Sequence, residues 1–248
     1  MDNEKWWDSL PSRWKELLNL YGLHKGEVTD TPTADELAQI LRLQVLHLRN
    51  AGIDSLMPLQ ALTELNTLDV GENEIANLNG IETLKNLQTL YLSQTPINDL
   101  SPIAQLHNLK QLGMQNTAVT DLSPLKNLTQ LVFLNISHTP ITDISPIALL
   151  TNLKTLQAVS TQITQIDALS NCIELTDLQL DGSPINDIEA VAKLRRLTYL
   201  GIANTKVSKL NAINKHTSLE MMNCKNAPIS MLDLDDFIWA NPNCAVEK

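Results

Sequence analysis

Apolar residues recur along most of this chain with a period of 22 residues. A leucine stands at each of nine positions in equal steps, from Leu43 to Leu219. Other apolar residues follow it at fixed offsets, so each block reads L-x-x-L-x-L-x-x-T-x-I-x-D-L-x-P-L-x-x-L-x-x. A fixed period in this range is typical of proteins whose units stack on one another. The pattern predicts repeats over residues 43–228, starting at 43, 65, 87, 109, 131, 153, 175 and 197, with a partial repeat at 219.

The first half of each block alternates apolar and polar residues, which predicts a short strand. In the first block, Leu46 and Leu48 should point inward and His47 outward, because successive strand side chains face opposite sides. A single unit cannot bury its apolar side alone, whereas stacked units bury it against the next copy. We therefore expect a parallel sheet, and the bulkier second half of each block should place that sheet on the concave side of a curved stack.

The second half of the block carries polar residues that also recur with the period. Ser101 and Pro102 open a predicted short helix, with serine as its cap and proline in its first turn. Asp99 precedes them, and because aspartate recurs at this position we expect it to accept loop N–H hydrogen bonds rather than to catalyse. Threonine predominates at the ninth position, as in Thr95, and predicts a buried ladder that satisfies turn backbone.

The block resembles the 22-residue class of leucine-rich repeats, which occurs in bacterial internalin-type proteins and in eukaryotic regulators of protein phosphatase 1. The resemblance covers residues 43 to about 232. It implies an α/β leucine-rich-repeat solenoid, a curved right-handed coil with a parallel β-sheet on the concave face and short 3-10 or α segments on the convex side. Internalin-type proteins add a secretion signal, an immunoglobulin-like region and a wall anchor, and the sequence shows none of these, which counts against an adhesion role.

Residues 1–42 break the repeat and carry apolar residues, Trp7 and Trp14 among them, at helical spacing. Pro11 should separate two short helices, and the capping-box pattern that begins at Thr33 should open a third. The terminal units of a solenoid must differ from the inner ones, because exposed apolar ends aggregate. We predict a helical N-terminal cap whose tryptophans cover the first repeat. A partner-docking helix is the alternative.

Residues 229–248 are predicted to form a C-terminal cap that joins the rest in a single structural domain. Ser230 should cap a helix with Met231, Leu234, Phe237 and Ile238 on one face, and Cys244–Val246 could add a last strand. His216 stands where other blocks keep an apolar residue and is expected to lie under Trp239.

Three cysteines, Cys172, Cys224 and Cys244, form neither a disulfide framework nor a metal-binding spacing. We expect buried, reduced thiols that behave as small apolar groups. A Cys224–Cys244 disulfide is the alternative.

The overall charge narrows the choice of partners and compartment. A net charge of -10 and a pI near 4.9, without a basic run, argue against nucleic acid and anionic membrane surfaces. No stretch approaches the ~18 apolar residues of a membrane span, so no membrane insertion is expected. The N-terminus lacks the features of a signal peptide, which favours a cytoplasmic protein. Secretion stays open if a signal peptide has been removed ahead of Met1.

Outward strand positions carry the candidate partner-binding residues. Outside the end regions the aromatic residues are Tyr91, Phe133 and Tyr199, and all three fall at such positions. Exposed aromatics suit protein contacts, although strand propensity also favours them there. Charged neighbours form two clusters. One comprises His47, Arg49, Asp69, Glu72 and Tyr91, and the other Asp177, Gln179, Asp181 and Tyr199.

No constellation for catalysis accompanies these clusters. His47 and Asp69 could be neighbours, but no nucleophile or third metal ligand converges on them. No glycine-rich phosphate loop is present. The sequence thus predicts a monomeric, non-catalytic scaffold that needs no cofactor or metal and binds an unidentified protein on its concave face. The alternatives are a secreted or surface internalin-like adhesion protein and the recognition part of a larger effector enzyme.

Overall fold

The computed structural model describes residues 3–25 and 31–248. Within these segments, ten parallel strands form one open curved sheet whose spatial order follows the chain. Strands β1 to β5 are Val45–His47, Thr67–Asp69, Thr89–Tyr91, Gln111–Gly113 and Phe133–Asn135. Strands β6 to β10 are Thr155–Gln157, Asp177–Gln179, Tyr199–Gly201, Met221–Asn223 and Ala245–Glu247. Ala245 rather than Asn243 pairs with Met221, so the last coil is two residues longer than the repeat.

Leucine columns run through the stack behind the sheet. The central residue of every strand from β1 to β9 is buried, and Leu46, Leu48 and His47 take the predicted orientations. Each buried leucine side chain stabilises the fold by roughly 1.5–3 kcal/mol through removal of apolar surface from water. The core is therefore continuous along the whole solenoid, and each repeat depends on its neighbours for that burial.

The eighth residue of every repeat turns the backbone through the left-handed region. Its φ lies between 53° and 72° at nine positions that follow the 22-residue period. These residues are Asn50, Glu72, Gln94, Asn116, His138, Ser160, Gly182, Asn204 and Asn226. Asparagine and glycine tolerate this conformation best, and their frequency here is the one sequence signal of the turn. The turn directs the chain from each strand toward the convex side.

The predicted threonine ladder is confirmed. The five ninth-position threonines are buried, and the hydroxyl of each donates to the carbonyl of the sixth residue of the same repeat. Examples are Thr95 Oγ1 to Leu92 O at 2.6 Å and Thr139 Oγ1 to Ile136 O at 2.6 Å. These bonds satisfy carbonyls that water cannot reach at the end of each strand.

Short 3-10 segments on the convex side connect the strands, and the aspartates ahead of them act as predicted. Asp99 Oδ1 accepts a hydrogen bond from Ser101 N at 2.8 Å. The prediction that serine caps the helix is wrong, because Ser101 is already the first residue of the segment Ser101–Ile103. Its hydroxyl donates to Asp99 Oδ1 instead. Both hydrogen bonds lower the pKa of Asp99, since they stabilise the carboxylate.

Three helices precede the sheet: α1 (Asn3–Asp8), α2 (Ser12–Leu23) and α3 (Ala34–Leu41). The break at Pro11 and the capping box at Thr33 are confirmed. Three tryptophan side chains of this region, Trp6, Trp7 and Trp14, are buried. Trp6 Nε1 donates to the carbonyl of Pro58 at 3.2 Å, which ties α1 to the first repeat. The tryptophans therefore cover the first repeat and do not form an exposed docking helix.

A fourth helix, α4 (Met231–Ala240), lies between β9 and β10. As predicted, Ser230 caps it by accepting from Asp233 N at 3.1 Å, and Leu234 and Phe237 are buried. Met231 was predicted on the same face, and this was wrong, because it is 68% exposed at the first position of the helix. Trp239, expected over His216, is 87% exposed. The reason is that residues two apart on a helix point to nearly opposite sides, so Phe237 takes the inward position.

His216 is buried among the leucine columns although Trp239 does not cover it. Its Nε2 lies 3.2 Å from Val191 O and its Nδ1 lies 3.3 Å from Ser218 Oγ. Burial lowers the pKa of His216, because the charged form would lose its hydration. The neutral ring therefore replaces a core leucine while both of its nitrogens keep a partner.

All three cysteines are free thiols and buried, so the structure contains no Cys224–Cys244 disulfide. Burial raises the pKa of Cys172 to about 11 and also raises the pKa of Cys224 and Cys244. Thiols with raised pKa values are poor nucleophiles at neutral pH, which fits a packing role.

Candidate protein-binding face

The strand register aligns the outward side chains into two rows that cross the sheet, together called here the concave face. The first row is Val45, Thr67, Thr89, Gln111, Phe133, Thr155, Asp177, Tyr199, Met221 and Ala245. The second row is His47, Asp69, Tyr91, Gly113, Asn135, Gln157, Gln179, Gly201, Asn223 and Glu247. At about 4.8 Å between strands, the rows extend for roughly 40 Å.

The first predicted cluster comes together at the N-terminal end of the concave face. His47, Asp69 and Tyr91 occupy adjacent strands in register. Beside them, Arg49 Nη2 forms an ion pair with Glu72 Oε1 at 2.7 Å. This exposed pair contributes little to stability, because water screens it and holding both side chains costs entropy.

A glycine on the neighbouring strand seats the ring of Tyr91. A Cβ on Gly113 would lie 2.7 Å from Tyr91 Cδ1, so any side chain there would displace the ring. The Tyr91 hydroxyl donates to Gln111 Oε1 at 2.9 Å. The tyrosine is thus held across β4 and does not sweep freely over the sheet. The sequence analysis did not predict this role of Gly113. The only sequence signal for it is that a glycine follows an aromatic residue in the same row of outward positions.

The three aromatic side chains are half-buried and stand apart from one another. Tyr91 lies on β3, Phe133 on β5 and Tyr199 on β8. The strand spacing puts about 10 Å between the first two and about 14 Å between the last two. They form three separate aromatic positions along the concave face and not one apolar patch.

The second predicted cluster comes together at the C-terminal end. Asp177 and Tyr199 are register neighbours on β7 and β8. Asp181 Oδ1 accepts from Ala203 N at 2.9 Å, and its carboxylate covers Gly201, where a Cβ would overlap it. Burial and the nearby charges of Asp181, Asp177 and Glu247 raise the pKa of the Tyr199 hydroxyl. The cluster is therefore an aromatic side chain surrounded by acids.

Two members of this cluster escaped the sequence analysis. Asn223 Nδ2 donates to Asp181 Oδ1 at 3.4 Å, and the Asn223 side chain acts to lower the pKa of the Tyr199 hydroxyl. Glu247 lies beside Asn223 on β10 and disfavours ionisation of Asp181. Asn223 was visible in the row of outward positions. Glu247 was not, because the last coil is two residues longer than the period.

Burial, followed in smaller part by Glu247, raises the pKa of Asp181 above its ordinary value. A carboxyl whose pKa is raised by folding contributes its stability below the unfolded-state pKa and loses it as the pH rises through the folded-state pKa. Asp181→Asn keeps an oxygen for Ala203 N and removes the charge. It should increase the free energy of unfolding at pH 7 and change it less at pH 3, as measured by urea unfolding at both values. An equal effect at both pH values would contradict the electrostatic explanation.

Residues 3–25 and 31–248 contain no group of three or more His, Cys, Asp or Glu side chains that is arranged to hold a metal ion. None of the described helices is long and apolar enough to cross a membrane. A cleft of about 310 Å³ between α2 and the first repeat is lined by Trp6, Leu10, Arg13 and Met57 and lies away from the concave face.

Comparisons with known proteins follow the same repeat. The family profile for leucine-rich repeats in two copies matches residues 85–127, 107–149 and 129–171. The crystal structure of internalin C2 from Listeria monocytogenes is 29% identical, with a TM-score of 0.79, over 85% of this chain and 92% of that one. The chain carries leucine-rich repeats and has the leucine-rich-repeat solenoid fold, in which it is similar to internalin C2. No curated protein sequence matches it significantly.

Two further solved structures share this solenoid fold. A leucine-rich repeat protein of Leptospira interrogans is 22% identical, with a TM-score of 0.81, over 88% of this chain and 58% of that one. The ectodomain of a plant membrane receptor kinase from Arabidopsis thaliana, in complex with Casparian strip integrity factor 2, is 16% identical. Its TM-score is 0.72, over 85% of this chain and 27% of that one. At these identities the likeness extends to the fold alone.

Proposed function

We propose that this leucine-rich repeat protein is a non-catalytic scaffold that binds a protein partner on its concave face. The observation that carries the proposal is the placement of Tyr91, Phe133 and Tyr199. The repeats keep aromatic side chains out of their core and present all three, half-buried, on the same face. Aromatic residues dominate the binding energy of many protein interfaces, because they bury a large area with few rotatable bonds.

The shape and polarity of the face favour a protein over a small molecule. The concave face is an open surface roughly 40 Å long, whereas small-molecule sites are enclosed clefts. Polar side chains such as Gln111, Asn135 and Gln157 fill the space between the aromatics, as in a polar interface with a few anchors. Backbone hydrogen bonds fix the strands in advance, so a partner would meet a preformed surface with little loss of entropy.

The acids of the second cluster support the same proposal. Asp181 is held where burial raises its pKa, so the charge costs stability at neutral pH. Residues that reduce stability where they stand are often retained for function. We propose that His47, Arg49, Asp69, Asp177 and Asp181 set the orientation of the partner while the aromatics provide most of the affinity.

Oligomeric state and compartment are part of the proposal. We propose a monomer that works in the cytoplasm, where Cys172, Cys224 and Cys244 stay reduced; their free, buried thiols support this. The 29% identity to internalin C2 supports the alternative of an internalin-like protein at the surface or outside the cell. Antibody labelling of intact and permeabilised native cells would distinguish the two compartments.

Removing the three aromatic side chains should abolish partner capture. The full chain and the variant Tyr91→Ala/Phe133→Ala/Tyr199→Ala would serve as baits in a lysate of the native cell, and bound proteins would be quantified by mass spectrometry. Each anchor residue in an interface contributes about 2 kcal/mol or more, so loss of all three should leave no measurable binding. A matched variant, Met57→Ala/Leu149→Ala/Ile173→Ala, removes three exposed apolar side chains outside the concave face and should capture the partner normally.

Urea unfolding would first establish that both triple variants are folded. A protein recovered by the wild type and the matched variant, but not by the aromatic variant, would support the concave face. Equal recovery by all three baits would refute the role of the aromatics.

A further inference from the structure

Helix α4 carries the three most exposed large apolar side chains of the described residues. Trp239 is 87% exposed, Leu232 73% and Met231 68%, and the next residue, Leu149, reaches 58%. The tryptophans of the N-terminal helices are all buried. Single exposed apolar residues are ordinary, whereas several on one helix mark an interaction surface.

Leu232 and Trp239 lie on the outward side of α4, which is called here the α4 stripe together with Asp235 and Asp236. The two apolar residues are seven positions apart, so they stand two turns, or about 10 Å, from each other on the same side. Asp235 and Asp236 lie between them and are exposed. Within the described part of the chain, no basic side chain forms an ion pair with either aspartate.

The contacts that hold α4 on the solenoid come from the inner side and the ends of the helix, and not from the α4 stripe. Leu234 and Phe237 anchor α4 in the core, and Ser230 caps its N-terminus. Asn241 Nδ2 donates to Asn214 O at 3.0 Å and fixes the C-terminal end. These contacts fix the position of α4, and they leave its outer side exposed to solvent.

We infer that the α4 stripe is a second docking surface, which takes a basic amphipathic helix of a partner protein. Charge complementarity decides the occupant. A helix with apolar residues two turns apart and lysine or arginine between them would cover Leu232 and Trp239 and pair with both aspartates. A second copy of this chain does not fit, because it would bring four aspartates together between two chains of net charge -10.

The α4 stripe is separate from the concave face. Helix α4 occupies the part of the last coil in which earlier coils place their convex 3-10 segments, and it packs against the segment Asn211–Ile213. A partner on the stripe therefore leaves Tyr91 and Phe133 free. This inference goes beyond the proposed function, and each of the two is open to test without the other.

The probe is a synthetic helical peptide of about 18 residues, or five turns, with leucine on one side and lysine beside it. The full chain would be titrated with it in 150 mM salt, and affinity measured by calorimetry and tryptophan fluorescence. Trp239 is the exposed tryptophan of the described residues, so a blue shift of emission on binding reports on α4. The same peptide with glutamate for lysine should not bind.

Two double variants and matched controls locate the peptide. Asp235→Lys/Asp236→Lys should weaken binding by about tenfold or more, and so should Leu232→Ser/Trp239→Ser measured by calorimetry. Glu64→Lys/Glu74→Lys makes the same change of net charge at two exposed acids elsewhere and should change affinity by less than about threefold. These substitutions are at exposed positions, so all variants should unfold at nearly the wild-type urea concentration.

Three outcomes would overturn the inference. Equal weakening by the two charge variants would mean that the peptide follows overall charge and not the α4 stripe. Loss of peptide binding in Tyr91→Ala/Phe133→Ala/Tyr199→Ala would assign the peptide to the concave face. Sedimentation that shows a dimer of the chain, dissolved by Leu232→Ser/Trp239→Ser, would make a second copy the occupant.

Discussion

Replacing Asn73 with alanine should lower the free energy of unfolding by about 2 to 5 kcal/mol. Asn73 is buried, and its Oδ1 accepts from Ala51 N at 3.0 Å and Ile53 N at 3.1 Å. Its Nδ2 donates to Leu48 O at 2.7 Å and Val70 O at 2.9 Å. Alanine would leave Ile53 N and Val70 O without partners where water cannot reach them, whereas Ala51 N still donates to Leu48 O at 3.2 Å. Each group left without a partner costs about 1–3 kcal/mol.

Asn73→Thr separates the hydrogen bonds that Asn73 makes within its own repeat from those that it makes to the preceding repeat. Threonine, the usual residue at this place in the repeat, would still donate to Val70 O, as Thr95 does to Leu92 O. It would not reach the backbone of the preceding repeat, so its loss of stability should be intermediate.

Urea unfolding followed by circular dichroism measures both Asn73 effects. Asn86→Ala is the control, since Asn86 is exposed and its Nδ2 donates to Thr63 O at 3.0 Å. Its effect should stay within about 1 kcal/mol, because water can replace the lost bond. If Asn73→Ala cost no more than Asn86→Ala, Asn73 would not be the tie between the first two repeats.

Replacing Leu134 with alanine should cost about 3 to 5 kcal/mol, near the upper end for buried leucines. Leu134 is fully buried at the centre of β5, with Leu112 and Leu156 opposite it on the strands to either side. The cavity could collapse only if neighbouring repeats shifted together, and the parallel sheet opposes that shift. Packing across repeats is the main source of stability in a solenoid, so a cavity in a central repeat weakens its packing against the repeats on both sides.

Leu149→Ala is the matched control for Leu134→Ala. It removes the same atoms from a side chain that is 58% exposed, so its effect should be within about 0.5 kcal/mol. Equal effects of the two substitutions in urea unfolding would contradict the continuous leucine column.

The 22-residue period explains why so much of the fold could be predicted. It fixed the register of nine strands, and with it the neighbours of His47, Asp69 and Tyr91, because equal spacing leaves each strand one partner position. Details within the period were harder. The left-handed eighth residue depends on backbone torsion, which leaves only a weak preference for asparagine and glycine.

Prediction failed where the period ends. A helix was expected over the last residues, but whether Phe237 or Trp239 faced the core depends on how α4 meets the preceding coil. The two extra residues of that coil also placed Glu247 beside Asn223. Contacts such as Tyr91 over Gly113 depend on side-chain direction along the strand, and the period does not encode that direction. The identity of the partner lies outside fold-level reasoning altogether.

The most direct test of binding on the concave face is hydroxyl-radical footprinting of the chain with and without its captured partner. The proposed function predicts that oxidation of Tyr91, Phe133 and Tyr199 falls in the complex. Oxidation of Leu149 and Ile173, which are exposed outside that face, should stay unchanged. Unchanged oxidation of the three aromatics, with protection elsewhere on the surface, would contradict the proposal.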